Sequence, residues 1–223
     1  MALSFDGSKF FGPKGTRQVA TFGGEVYTFV GNNTQKHDGN EPDKAFCCHW
    51  EVDHHRTVWD DYNGCIGENG QGQAVAILTL EPGQKPQATW KRNTGIFNLA
   101  FCAMADAVDV PDHPMVQMMG RWIGERCARH GIDPRGTVTL QKMLCEGSQL
   151  VPVPGETIEV PVIHDHCLIA KHDGYFPDRW DIGDPEVNGK PSLLPAVQAA
   201  AYATYDAITE HDQAYQLSDA VLA

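Results

Sequence analysis

Three short runs of this chain, AFCCHW (45–50), QAVAILTL (73–80) and GIFNLAFCAM (95–104), are apolar at nearly every position rather than at every second one. A strand that alternates can leave one face in water, whereas a strand apolar on both faces has to be covered on both. The pattern therefore demands a layered α/β domain around a mostly buried sheet, with GIFNLAFCAM near its centre. EVYTFV (25–30) reads as a further strand, and YNGCIGENGQGQAVAILTL (62–80) as two strands around a Gly-Asn turn. Met115, Met118, Met119, Trp122, Ile123 and Cys127 recur at helical spacing between the Pro111 and Pro114 signals and the stop at Gly131. A last helix is predicted near 192–210, and VPVIH (160–164) as a short strand that carries His164 to its end.

The expected fold is thus α/β, a single domain with a central mixed β-sheet flanked by helices. Residues 1–44, rich in Gly, Asn, Lys and Asp, are expected to form an N-terminal arm or extension. Residues 45–223 are expected to form the domain proper, with an insertion near 136–161 and a C-terminal helix. At 223 residues the length suits one large domain.

A net charge of −12 argues against a nucleic-acid binder or a protein held on anionic membranes, since both need clustered Lys and Arg. No stretch approaches the roughly 18 apolar residues of a membrane span, and the opening MALSFDGSKFFGPKG lacks a basic segment followed by an apolar run. Synthesis in the cytoplasm without a signal peptide is the expectation. The seven cysteines are odd in number, and the vicinal Cys47-Cys48 pair disfavours a disulfide framework, so reduced thiols are expected.

The segment VIHDHCLIAKHDGYFPDRWDIG (162–183) concentrates histidine, aspartate and cysteine, the donors that bind zinc. His49 and His164 both fall near the ends of predicted buried strands, where a rigid backbone can hold an imidazole in a cleft. Asp181, in a following loop, is a third donor, and three protein ligands leave a fourth position open for water. With ten histidines in the chain, bland readings stand beside this one. His49 fits a core histidine bonded to the backbone, Tyr62 a packing aromatic, and Arg179 a surface cation paired with Asp178 or Asp184. His54, His55 and His172 read as solvated. Cys47, Cys48 and Cys167 read as small buried hydrophobes. Cys48 and His49 point to opposite faces of one strand, which argues against a Cys-His dyad.

DYNGCIGENGQG, TWKRNTGIFNLAFCAM, the helix ending in RCARHGI, and VIHDH followed by DRWDIG, in that order over residues 45–183, together resemble the zinc-dependent N-acetylmuramoyl-L-alanine amidase and peptidoglycan recognition protein family. The resemblance implies Zn2+ held by His49, His164 and Asp181, with Tyr62 beside the metal water and Arg179 stabilising the oxyanion. It implies substrate contacts at Trp90, Asn93, Thr94 and His166. His166 and His164 form a His-x-His pair expected on one face of a strand, so either one can be the ligand, with His164 favoured. The chain departs from the family where Ala88 replaces a substrate-facing histidine. The activity implied is cleavage of the N-acetylmuramoyl-L-alanine bond of peptidoglycan, in a phage endolysin or a virion-associated lysin that acts on the cell wall after release or within a particle beside virion or tail proteins. The alternative is a non-catalytic peptidoglycan-binding or phage structural module of the same fold.

Overall fold

The computed structural model describes residues 4–33, 43–50, 56–80, 84–88, 93–103, 108–146, 149–174, 182 and 191–221, with side chains up to 211. A six-stranded mixed sheet forms the centre. Its strands are β1 (Ser4–Asp6), β4 (Ala45–Trp50), β6 (Gly64–Glu68), β7 (Ala74–Leu78), β8 (Ile96–Phe101) and β11 (Ile163–Asp165), in the spatial order β1-β7-β6-β8-β4-β11. Strands β6, β8, β4 and β11 run parallel, and β7 runs antiparallel to β6. Every residue of β4 and β8 is buried, as runs apolar on both faces require.

One face of this sheet is covered by two long helices, α1 (Pro114–His130) and α3 (Leu194–Val221). Phe46, Cys48, Trp50, Ile66, Leu99 and Phe101 of the strands meet Met119, Ile123, Val197 and Ala201 of the helices there. α1 begins where predicted: Pro114 occupies its first turn, the His113 ring accepts from the Met115 N–H, and Gly131 closes it with φ of 65°.

The other face is covered by β-structure. Strands β2 (Arg17–Phe22), β3 (Glu25–Val30) and β5 (Thr57–Trp59) form a small sheet. Its Tyr27, Phe29 and Val58 pack on Cys65, Val75, Ile77, Ala100 and Cys102. Residues 4–33, expected as an arm, are therefore built into the fold, with β1 pairing along the edge of the central sheet and β3 contributing core aromatics.

The segment expected as an insertion forms a long hairpin of β9 (Thr137–Glu146) and β10 (Gln149–Pro161), whose register shifts between Pro152 and Thr157. Val138 and Leu140 of the hairpin cover Ala45, Cys47 and Ile96. The helix α2 (His166–Asp173) follows β11 directly. The Asp165 carboxylate accepts from the Leu168 N–H at 2.8 Å as its N-cap, and Gly174 ends it with φ of 61°. None of the seven cysteines is disulfide-bonded. Among the described residues no helix is long and apolar enough to cross a membrane.

Candidate functional site

The parallel register decides which side chains share a face. His164 pairs with Cys47 on β4, and Cys47 pairs with Asn98 on β8. His49 lies two residues beyond Cys47 and so projects from the same face. That face is the one away from α1 and α3. His49, Asn98 and His164 are fully buried, and His166 and Tyr62 are nearly so.

Carrying the β11 register one residue past the Asp165 and Cys48 pair brings His166 level with His49. The two imidazoles stand edge to face with centroids 5.3 Å apart. The expected His-x-His strand is thereby corrected: β11 ends at Asp165, and His166 is the first residue of α2. The rings still meet, because the helix starts where the strand delivers it.

Tyr62 lies on the other side of His49, ring centroids 5.2 Å apart, and its hydroxyl donates to the Trp50 carbonyl over 3.4 Å. The loop that carries it is firmly tied. The Thr79 hydroxyl donates to the Tyr62 carbonyl at 2.5 Å. Two residues upstream, the Asp60 carboxylate accepts from the Asn32 and Asn33 N–H groups at 2.7 and 2.8 Å.

Two hydrogen bonds fix the protonation pattern of the histidines. His49 Nε2 lies 2.9 Å from Asn98 Oδ1, and His164 Nδ1 lies 2.8 Å from the Pro161 carbonyl. Both partners are carbonyl oxygens with no proton to give, so each imidazole must be the donor. The neutral rings then carry their lone pairs on His49 Nδ1 and His164 Nε2. Metal-binding histidines commonly commit the second nitrogen to a carbonyl or carboxylate in this way. The donor chemistry of these two residues thus fits a divalent ion such as zinc.

Of the other expected residues, Arg179, Asp181 and Trp90 lie outside the described residues, as do His54 and His55. Among the described residues no three His, Cys, Asp or Glu side chains converge on one ion position. Asn93 and Thr94 are not brought to the site. They precede β8, at the end of the sheet where Ala45 pairs with Ile96, whereas His49 is level with Ala100. Four strand residues, roughly 13 Å at strand rise, separate Ile96, where β8 begins after this turn, from that level. Cys47 and Cys48 are buried hydrophobes on opposite faces, as expected.

Asn98 is the site residue that the sequence reading passed over. Its signal was visible, since an asparagine interrupts a run otherwise apolar on both faces.

No protein-family model matches the sequence, and no curated protein matches it. Among solved structures, Staphylococcus aureus hydrolase AmiA in complex with its ligand aligns over 85% of this chain and 94% of that chain, with a TM-score of 0.44 at 11% sequence identity. A likeness that loose assigns neither a family nor the role of any residue.

Proposed function

We propose that this chain is a zinc-dependent amidase that cleaves the N-acetylmuramoyl-L-alanine bond of peptidoglycan, as a phage endolysin or virion-associated lysin. The observation that carries the reading is the pair of buried histidines on adjoining parallel strands, each with one ring N–H committed to a carbonyl oxygen, on a face shared with Tyr62. The order of motifs from 45 to 183 supports it independently.

His49 and His164 would hold the metal, with Asp181 as the third ligand. Zinc bound there would supply Lewis acidity toward water and toward the scissile amide carbonyl. The chain's own groups do the rest. Tyr62, anchored by the Thr79 bond and seated against His49, turns its hydroxyl from the long Trp50 contact toward the carbonyl oxygen as negative charge grows there. Arg179, two residues before Asp181, adds fixed positive charge to the same oxygen. Tyr62 would also pass a proton to the departing amine, with His166, edge-on to His49, as the second candidate. The sheet face and its covering β-layer bury the histidines, which strengthens each of these interactions.

The test is digestion of purified peptidoglycan by the zinc-loaded protein and by His164→Ala, with products read by mass spectrometry. Stem peptides freed from intact glycan strands by the wild type alone are the expected result. Intact sacculi despite bound zinc overturn the enzyme and leave recognition or assembly as the function. Zinc stoichiometry of His164→Ala and His166→Ala separates ligand from neighbour: loss of the ion is expected in the first and retention in the second.

A further inference from the structure

We infer that Asn98 is a positioning residue that fixes the ring of His49, and that through Asn63 it ties this ring to the backbone beside Tyr62. The inference rests on the metal-site reading of His49.

Asn98 occupies the middle of β8, the strand at the heart of the sheet, and is fully buried. The fold alone gives no reason for a polar residue there. A buried amide is costly unless its hydrogen bonds are met, and an aliphatic side chain would suit a strand apolar on both faces.

What the amide does is specific. Its Nδ2 donates to the Ile96 carbonyl at 3.1 Å, which orients the group so that Oδ1, not Nδ2, faces the imidazole. Oδ1 accepts from His49 Nε2 at 2.9 Å. The tautomer and the ring rotation of His49 are thereby set from a strand interior to the sheet.

The backbone of Asn98 is held in turn. Its N–H donates to Asn63 Oδ1 at 2.8 Å, and its carbonyl accepts from the Asn63 N–H at 2.9 Å. Asn63 adjoins Tyr62. A reciprocal pair of bonds therefore joins the strand that orients His49 to the loop that presents Tyr62, and the two groups cannot drift independently. Partners of this kind behind a metal-binding imidazole typically matter by 10–100-fold in metal affinity.

The experiment compares wild type with Asn98→Leu, Asn98→Ala and Asn98→Asp, using zinc titration and the imidazole N–H signals in proton NMR of metal-free protein. Near-UV circular dichroism checks the fold. The expected result is a slowly exchanging, downfield His49 Nε2–H signal in wild type that disappears in Asn98→Leu and Asn98→Ala. Zinc affinity falls about 10–100-fold in both, and Asn98→Asp, which keeps an acceptor, restores the signal and most of the affinity. A folded Asn98→Leu or Asn98→Ala with the ring signal intact and zinc affinity within twofold of wild type overturns the inference. Wild type that binds no zinc yet shows the Asn98-dependent signal refutes the metal reading and leaves the orientation of His49 established, so the two failures are distinct.

Discussion

Replacing Gly124 by alanine sets two known effects against each other at the crossing of α1 and α3. An alanine is worth about 1 kcal/mol more than glycine inside a helix. The added Cβ, however, would lie 2.5 Å from the Ala201 carbonyl oxygen and 2.8 Å from Thr204 Cβ. Relaxed contacts between such atoms are about 3.5 Å or longer, so the neighbour has to retreat by close to an ångström. The neighbour is backbone, and α3 must move as a body. Overpacking of this kind costs about 1–3 kcal/mol, and a rigid obstacle places it in the upper half of that range. The net expectation is a loss of about 1–2 kcal/mol. Gly120 faces the same helix, with its added Cβ 2.5 Å from the Val197 carbonyl oxygen and from Ala200 Cβ. Once α3 has been displaced by one methyl, the second finds room already made. The double variant should therefore lose less than the sum of the two singles. Urea unfolding followed by tryptophan fluorescence and circular dichroism measures both quantities through the midpoint at constant slope. Gly124→Ala more stable than wild type by the full helix-propensity value would refute the reasoning, because it would mean that the crossing does not require a missing Cβ. His49 and His164 lie on the other face of the sheet, so zinc titration of the variant should give the same result per folded molecule as wild type.

Burial holds Asp61 above the ordinary carboxylate range, against the Asn32 hydrogen bond that lowers it, with the Asp60 charge raising it further and Lys14 lowering it. In the window between the ordinary and the raised value the folded state keeps a proton that the unfolded state has released, so this group makes stability fall as pH rises. Asp61→Asn, which still offers an oxygen to Asn32, should be more stable than wild type at pH 7 and indistinguishable from it at pH 3 in urea unfolding. Burial also pushes the Cys127 thiol up to about 12, aided by Asp133 and Asp43 against Arg126. Iodoacetamide at pH 8 should therefore label Cys145, which is partly exposed, long before the six buried thiols. Peptide mass spectrometry reads this directly, and early labelling of Cys127 would contradict the packing. Asp173 accepts from the Met143 N–H at 3.2 Å and ties α2 to the hairpin. Asp173→Ala should cost about 1–3 kcal/mol by leaving that buried donor without its acceptor, as thermal unfolding will show.

The central sheet was legible because its strands had to be buried on both faces. AFCCHW was bounded residue for residue, and GIFNLAFCAM took the interior position its composition demanded. Several peripheral elements were not legible, for physical reasons. β1 and β5 are three residues long, too short for any periodicity to register. In the hairpin, Pro152, Pro154 and Pro161 disguised β10, since a proline is a poor strand signal unless its nitrogen faces outward from a two-stranded ribbon. α2 was hidden by its own chemistry. In HDHCLIAKHDG the histidines drew the reading toward ligands, although Asp165 and Gly174 are ordinary start and stop signals eight residues of helix apart.

The site divides along the same line. That His49 and His164 would be neighbours was legible because each sits on a strand whose burial the sequence declared, and neighbouring parallel strands bring them to one face, whereas Tyr62 and His166 entered through the resemblance. Asn93 and Thr94 entered through the order of motifs, and order along a chain says nothing about which end of a strand a residue occupies. Parallel pairing settles that. β4 and β8 run in the same direction, so a turn that leads into β8 falls at the end opposite the one where β4 presents His49. Along the strands, Asn98 and Asn63, level with His164 and tied to His49 and Tyr62, therefore lie nearer the histidines than the Asn-Thr pair that precedes the central strand.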